Sequence, residues 1–137
     1  MSKKTTNYKG RLALAKAIEY YTKNEYIVSI PLNDEQFYDL VVEKDGIFTP
    51  VQCKFGGAKT RKEGVYGCHL RTVGGNGKIY RSASTEEGVI FCMRPDGICY
   101  AIPTKDIPNT NMIRLATTKI KNCFDTVPYI VDFGSME

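Results

Sequence analysis

Two β-prone runs, Tyr38-Asp-Leu-Val-Val-Glu43 and Phe48-Thr-Pro-Val-Gln-Cys-Lys54, stand on either side of Lys44-Asp-Gly-Ile47, and no other stretch constrains the fold as much. Asp-Gly between two such runs is a strong hairpin signal, because both residues tolerate the positive φ that a two-residue turn demands. With Asp45 and Gly46 as the loop, Lys44 faces Ile47 and facing positions sum to 91, which sets Asp39 opposite Gln52. Strand side chains alternate between faces, so Gln52 and Lys54 share a side, with Lys54 diagonal to Asp39 and within reach of a long side chain. Leu40, Val42, Val51 and Cys53 take the other side, where a helix can cover them. Pro50 is a possible bulge that would shift this register. A hairpin ordinarily exposes its polar face, so convergence of the three polar groups is equally compatible with a plain solvated surface.

The remaining elements follow from periodicity and turn chemistry. From Tyr8 to about Lys23, Leu14, Ala17, Ile18 and Tyr21 recur at spacings of three and four, which predicts an amphipathic helix stopping near Asn24. Tyr26 to Ile30 reads as a short strand ended by Pro31, and Asn33 to Gln36 as a connector. Val65 to Val73 is β-prone and is followed by the flexible Gly74 to Gly77 break. Gly88 to Met93 and Ile98 to Ile102 flank Pro95-Asp-Gly97, a second hairpin. Asp106 falls in a short helical turn, Met112 to Leu115 in a short strand, and Pro128 in a turn. The order helix, strand, hairpin, strand, hairpin predicts a mixed β-sheet packed by the N-terminal helix, an α/β (α+β) fold. At 137 residues the chain suits one domain spanning 1–137, with Met1 to Thr6 as a flexible tail.

Charge is distributed unevenly. The net charge of the chain is only +4, yet Lys54, Lys59, Arg61, Lys62, Arg71, Lys78 and Arg81 face the single acid Glu63 between Lys54 and Arg81. Such a segment suits phosphate contact, and on charge alone a solvated loop face fits as well. The five cysteines are odd in number, include no C-x-x-C pair and lack zinc-ligand spacing. They read as reduced, buried thiols of a soluble, cytoplasmic protein, and no apolar run is long enough to span a membrane.

Asp39, Gln52 thirteen residues later and Lys54 two beyond it form the set that a metal-dependent phosphodiesterase requires. Asp39 offers a hard anionic oxygen to Mg²⁺, while the Gln52 side-chain carbonyl and the Cys53 backbone carbonyl offer neutral ones. Lys54 can orient or help deprotonate an attacking water and offset charge on the phosphate transition state. His69, the only histidine, reads as a groove contact or an ordinary surface residue rather than as a base. Glu43 shares the Asp39 side by alternation but lies near the turn, where it is solvated.

These residues resemble the PD-(D/E)XK nuclease core. The likeness is sharpened by Gly10-Arg-Leu-Ala-Leu-Ala-Lys-Ala-Ile18, Val28-Ser-Ile-Pro-Leu32, Tyr38-Asp-Leu-Val-Val42, Val51-Gln-Cys-Lys54, Leu70-Arg-Thr-Val-Gly-Gly-Asn76 and Tyr100-Ala-Ile-Pro103. In this order they resemble one branch, the homing endonucleases of bacterial group I introns and their free-standing relatives, over about Gly10 to Ile107. Glutamine in the place of the commoner acid fits that branch. The sequence departs from many members in carrying Leu14 where they have a helix glutamate; Glu19 lies on the far side of that helix. The resemblance implies a Mg²⁺-dependent endonuclease of double-stranded DNA, with Mn²⁺ able to substitute, that leaves 5′-phosphate and 3′-hydroxyl ends. It implies a homo-oligomer, dimer or tetramer, and a DNA-facing strand and loop that bring Arg71, Lys78 and Arg81 to the duplex. Lys59, Arg61, Lys62 and His69 complete the candidate DNA-binding set. A Holliday junction resolvase and a catalytically silent DNA-binding module are the alternatives.

Overall fold

The computed structural model describes residues 6–33, 37–73, 79–81 and 88–134. Helix α1 (Thr6–Lys23) opens the chain, two residues earlier than the apolar period suggested and at the last residue of the expected tail. Its fully buried stripe is Ala13, Ala17 and Tyr21, with Leu14 and Ile18 only partly covered. Two alanines one turn apart let the helix axis approach the sheet closely. The helix stops as expected near Asn24, whose side-chain amide donates to the Tyr20 carbonyl at 2.8 Å. Glu25 then takes a left-handed conformation at φ 65°, and the amides of Glu25 and Tyr26 close back onto the carbonyls of Thr22 and Tyr21. This is the paired-bond C-terminal cap in which glycine is usual.

The strands are β1 (Ile27–Ser29), β2 (Leu40–Lys44), β3 (Ile47–Phe55), β4 (Ala58–Lys59), β5 (Tyr66–His69), β6 (Arg71–Val73), β7 (Ile79–Arg81), β8 (Val89–Met93), β9 (Cys99–Pro103) and β10 (Met112–Leu115). The main sheet has the order β1-β2-β3-β8-β9, a second sheet the order β10-β5-β4, and β6 and β7 form a two-stranded ribbon. Within the main sheet β3 and β8 run parallel while the other neighbours run antiparallel, which makes the expected mixed sheet. Both hairpins are present. In the first, Lys44 pairs Ile47 and Leu40 pairs Val51, so Pro50 opposes Val41 without a bulge. Asp45 at φ 53° and Gly46 at φ 79° supply the two positive-φ positions of the turn.

One expected strand is split. Val65 to Val73 does not run through: Leu70 is buried between β5 and β6, and its amide donates to the Asn111 carbonyl at 2.8 Å. That bond follows the antiparallel β5–β10 pairing, after which the chain leaves for the β6–β7 ribbon. The second arm of that ribbon, β7, was not foreseen; Ile79 and Tyr80 carry the β propensity. The Asn33 to Gln36 connector lies outside the described residues except for Asn33, as do Gly74 to Gly77 and Lys78.

Two cores sandwich the main sheet. Helix α1 covers Leu40, Val42, Val51, Phe91, Met93 and Cys99, with Cys53 packed alongside. The second sheet covers the opposite face, burying Cys68, Leu70, Ile113 and Leu115 against Ile90, Cys92, Tyr100 and Ile102. Arg94, at the end of β8 and only 4% exposed, ties the layers together. Its guanidinium meets Asp96 at 2.7 Å, lies over the Tyr66 ring at 4.9 Å and donates to the Leu115 carbonyl at 3.4 Å. All five cysteines are free thiols, and Cys68, Cys92 and Cys99 are buried as small apolar side chains.

Candidate active site

Alternation along β3 sends Val51, Cys53 and Phe55 toward α1 and Gln52 and Lys54 to the face shared with Ile90 and Cys92, their partners across the parallel pair. Gln52 and Lys54 therefore stand side by side on one face of the central strands, both half-buried.

Asp39 departs from the expected geometry. It is not a strand residue opposite Gln52 but sits in a bend just ahead of β2. Its amide donates to the Val51 carbonyl at 2.9 Å, and its Oδ2 accepts a hydrogen bond from the Cys53 amide at 2.8 Å. In the register of the hairpin, position 53 would face position 38; the Asp39 carboxylate takes the ladder donor that the Tyr38 carbonyl would otherwise receive. The carboxylate thus rests against the peptide between Gln52 and Lys54. A strand residue's N–H and C=O point to the same edge, so the Cys53 carbonyl lies on the Asp39 edge too.

The electrostatics agree with this placement. Burial pushes the Cys53 thiol well up, and the nearby Asp39 charge adds to it. The Cys92 thiol is also raised, by its 3.4 Å contact with Cys68 and by burial, whereas the Lys54 ammonium pulls it the other way. Lys54 makes no hydrogen bond or ion pair with any described residue.

Gln52 holds the most unusual atom of the site. Its Oε1 is buried and has no hydrogen-bond partner among the described residues. The side chain lines a small pocket with Phe37, Tyr38, Pro50, Ile90 and Thr104. An unpaired buried carbonyl oxygen costs about 1–3 kcal/mol and calls for an explanation. An oxygen-seeking cation is one, so the donor set passes the chemical test for a hard divalent ion: one carboxylate, one amide oxygen and one peptide carbonyl. Among the described residues no three His, Cys, Asp or Glu side chains cluster to hold a metal, so such an ion would rely on neutral oxygens beside a single anionic side chain.

The other candidates are placed as follows. Glu19 pairs with Lys16 at 3.5 Å and Lys23 at 3.3 Å. Glu43 caps its own turn, accepting the Gly46 amide at 3.4 Å. His69 is exposed on β5. Lys59, Arg61 and Lys62 are exposed on β4 and the turn after it. In the ribbon, Arg71 and Arg81 are direct cross-strand partners. Arg114, which no motif in the sequence marks, is exposed between the buried Ile113 and Leu115. Strand alternation marks it as outward-facing, but nothing local says which residues lie beside it.

The PD-(D/E)XK endonuclease family matches the chain over residues 4–134. The structure of a bacterial homing endonuclease, I-Ssp6803I, is similar with a TM-score of 0.71 at 25% sequence identity, over 92% of this chain and 86% of that one. No curated protein sequence matches.

Proposed function

Because the chain belongs to the PD-(D/E)XK endonuclease family, we propose that it hydrolyses phosphodiester bonds of double-stranded DNA at Asp39, Gln52 and Lys54, as a homing-type or restriction-like enzyme. The observation that carries this reading is the buried Gln52 Oε1, without a partner among the described residues, on the residue next to Cys53, whose amide anchors the Asp39 carboxylate. Asp39, Gln52 and the Cys53 carbonyl would hold Mg²⁺, with Mn²⁺ as a substitute. When bound, the ion supplies Lewis-acid polarisation of the scissile phosphate and neutralises charge that develops there.

The chain's own groups do the rest. The Cys53 N–H fixes the Asp39 carboxylate, so that its orientation costs nothing at the moment of reaction. Lys54, which pairs with no described residue, directs its ammonium to the attacking water and to the charge that builds on the phosphoryl oxygens. Departure of the 3′ oxygen then leaves 5′-phosphate and 3′-hydroxyl ends. The β6–β7 ribbon supports a duplex substrate. A two-stranded ribbon fits the major groove, and its register pairs two arginine positions, Arg71 and Arg81.

Cleaving both strands takes two centres, and one chain carries one, so the working form is a dimer or tetramer of a single-domain chain. Five free thiols suit the reducing cytoplasm. Among the described residues no helix is long and apolar enough to cross a membrane.

The test is nicking of supercoiled plasmid and cutting of linear duplex in Mg²⁺, compared with Asp39→Asn and Lys54→Ala. Loss of activity in both variants supports the reading. Equal activity in all three proteins defeats it, and preference for four-way junctions over any linear duplex reassigns the substrate.

A further inference from the structure

The second sheet brings together basic residues from two distant parts of the chain. β4 and β5 are joined by a turn that carries Arg61 and Lys62 at its exposed tip. The turn is internally braced. The Thr60 hydroxyl lies 2.9 Å from the Lys62 carbonyl and 2.8 Å from the Val65 carbonyl, and it accepts the Lys62 amide at 3.3 Å. Gly64 closes the turn at φ 79°, and the Val65 amide returns to the Lys62 carbonyl at 3.3 Å. The cations are therefore presented from an ordered backbone, which lowers the entropy lost when they meet a ligand.

On the other bank stands β10. Its register places Arg114 against Gly67, and Gly67 in turn against Ala58, so the three form one row across the sheet. The Met112 side chain packs over Gly67, its sulfur 2.7 Å from where a Cβ there would stand. Lys59, Thr60, Arg61, Lys62, Met112 and Arg114, closed by Ile120, line one continuous groove with a partly apolar floor and basic banks. Lys119 and Lys121, both exposed, flank Ile120. None of Lys59, Arg61, Lys62 or Arg114 makes an ion pair with a described residue. Glu63 is the only acid in the turn.

We propose that this groove binds the phosphate backbone of the DNA substrate, with Arg114 as the contact that closes it from the side opposite Lys59, Arg61 and Lys62. The inference rests on the nuclease reading above and extends it to a surface outside the reacting centre. Two observations favour nucleic-acid phosphate. Four cations on the banks pair with no described acid, and Lys59 follows Lys54 by five residues, which limits their Cα separation to about 18 Å. Successive phosphates of one strand rise about 3.4 Å along the duplex axis, so the groove takes phosphates within a few nucleotides of the cut. It positions the strand without reading bases.

The experiment measures binding of the full-length protein to a labelled linear duplex without divalent metal, across a range of NaCl. Wild type is compared with Arg114→Gln, with the triple variant Lys59→Gln, Arg61→Gln, Lys62→Gln, and with Lys23→Gln on the helix side as a control. Each lost phosphate contact lowers the slope of log K against log salt by about 0.9. The expected result is a slope lower by about one for Arg114→Gln and about three for the triple variant, equal on two unrelated sequences, with the control unchanged. Wild-type slopes in both groove variants, alongside intact nicking by the wild type, overturn the groove and leave the nuclease standing. Absence of both binding and nicking in the wild type removes the two together. Unchanged melting temperatures of the groove variants confirm that these exposed substitutions leave the fold intact.

Discussion

The Asp39 carboxylate accepts the Cys53 backbone N–H at 2.8 Å, and so an acidic side chain from one hairpin arm is tied to the peptide between two polar residues of the other. This bond has a separable electrostatic and structural part. In Asp39→Asn the amide oxygen still accepts the Cys53 N–H while the negative charge is gone. The variant is expected to keep its far-UV circular dichroism and melting temperature and to lose plasmid nicking by about 100-fold or more, the scale of removing one preorganised electrostatic group. A cleavage rate within threefold of wild type would count against Asp39 as a ligand.

Gln52 offers a trade between stability and function. Its buried, unpaired Oε1 is a liability in the metal-free protein. Gln52→Leu removes that atom at similar volume and is expected to raise stability in urea by about 1 kcal/mol while abolishing cleavage. Gln52→Glu goes the other way, since a second anionic oxygen should lower the Mg²⁺ concentration needed for half-maximal nicking. A Leu variant that is less stable and fully active would contradict the assignment.

Arg94 holds the two sheets together through Asp96, Tyr66 and the Leu115 carbonyl. Truncation to alanine strips a buried cation from all of these contacts and opens a gap. A loss of about 3 kcal/mol is expected in denaturant melts. A loss below 1 kcal/mol would show that the sheets dock without it.

The same pair sets a pH dependence. Partial burial pushes the Asp96 carboxyl up, but hydrogen bonds from Arg94 and from the Ile98 amide outweigh it and hold the group below its ordinary value near 3.8. A depressed carboxylate contributes stability that is fully present above its unfolded pKa and drains away as pH falls through its folded one. Melting temperature should therefore drop more steeply below about pH 4 in wild type than in Asp96→Asn. Parallel curves would assign acid sensitivity to other carboxylates.

The first turn supplies a test of register. A Cβ at Gly46 would meet nothing within 4 Å, so the cost of Gly46→Ala is that of the φ 79° backbone alone. About 1–2 kcal/mol is expected. If stability were unaffected, the turn would not be what aligns Asp39 with Gln52 and Lys54.

Turn chemistry and alternation are local, and for that reason the sequence alone determined the hairpin at Asp45 and Gly46, the register that pairs Leu40 with Val51, and the shared face of Gln52 and Lys54. Residues a few positions apart decide such features, whatever the rest of the chain does. The parallel pairing of β3 with β8 was not legible, because strands so far apart in sequence meet only through packing of the whole molecule. The break at Leu70 has the same origin: its burial and its bond to Asn111 depend on where β10 comes to rest. Tertiary structure likewise decided that the Asp39 carboxylate reaches Cys53 rather than standing opposite Gln52, that the Gln52 oxygen is left buried without a donor, and that Arg114 faces the basic turn. Charge and burial at a site are sums over neighbours, and those neighbours are chosen by the fold.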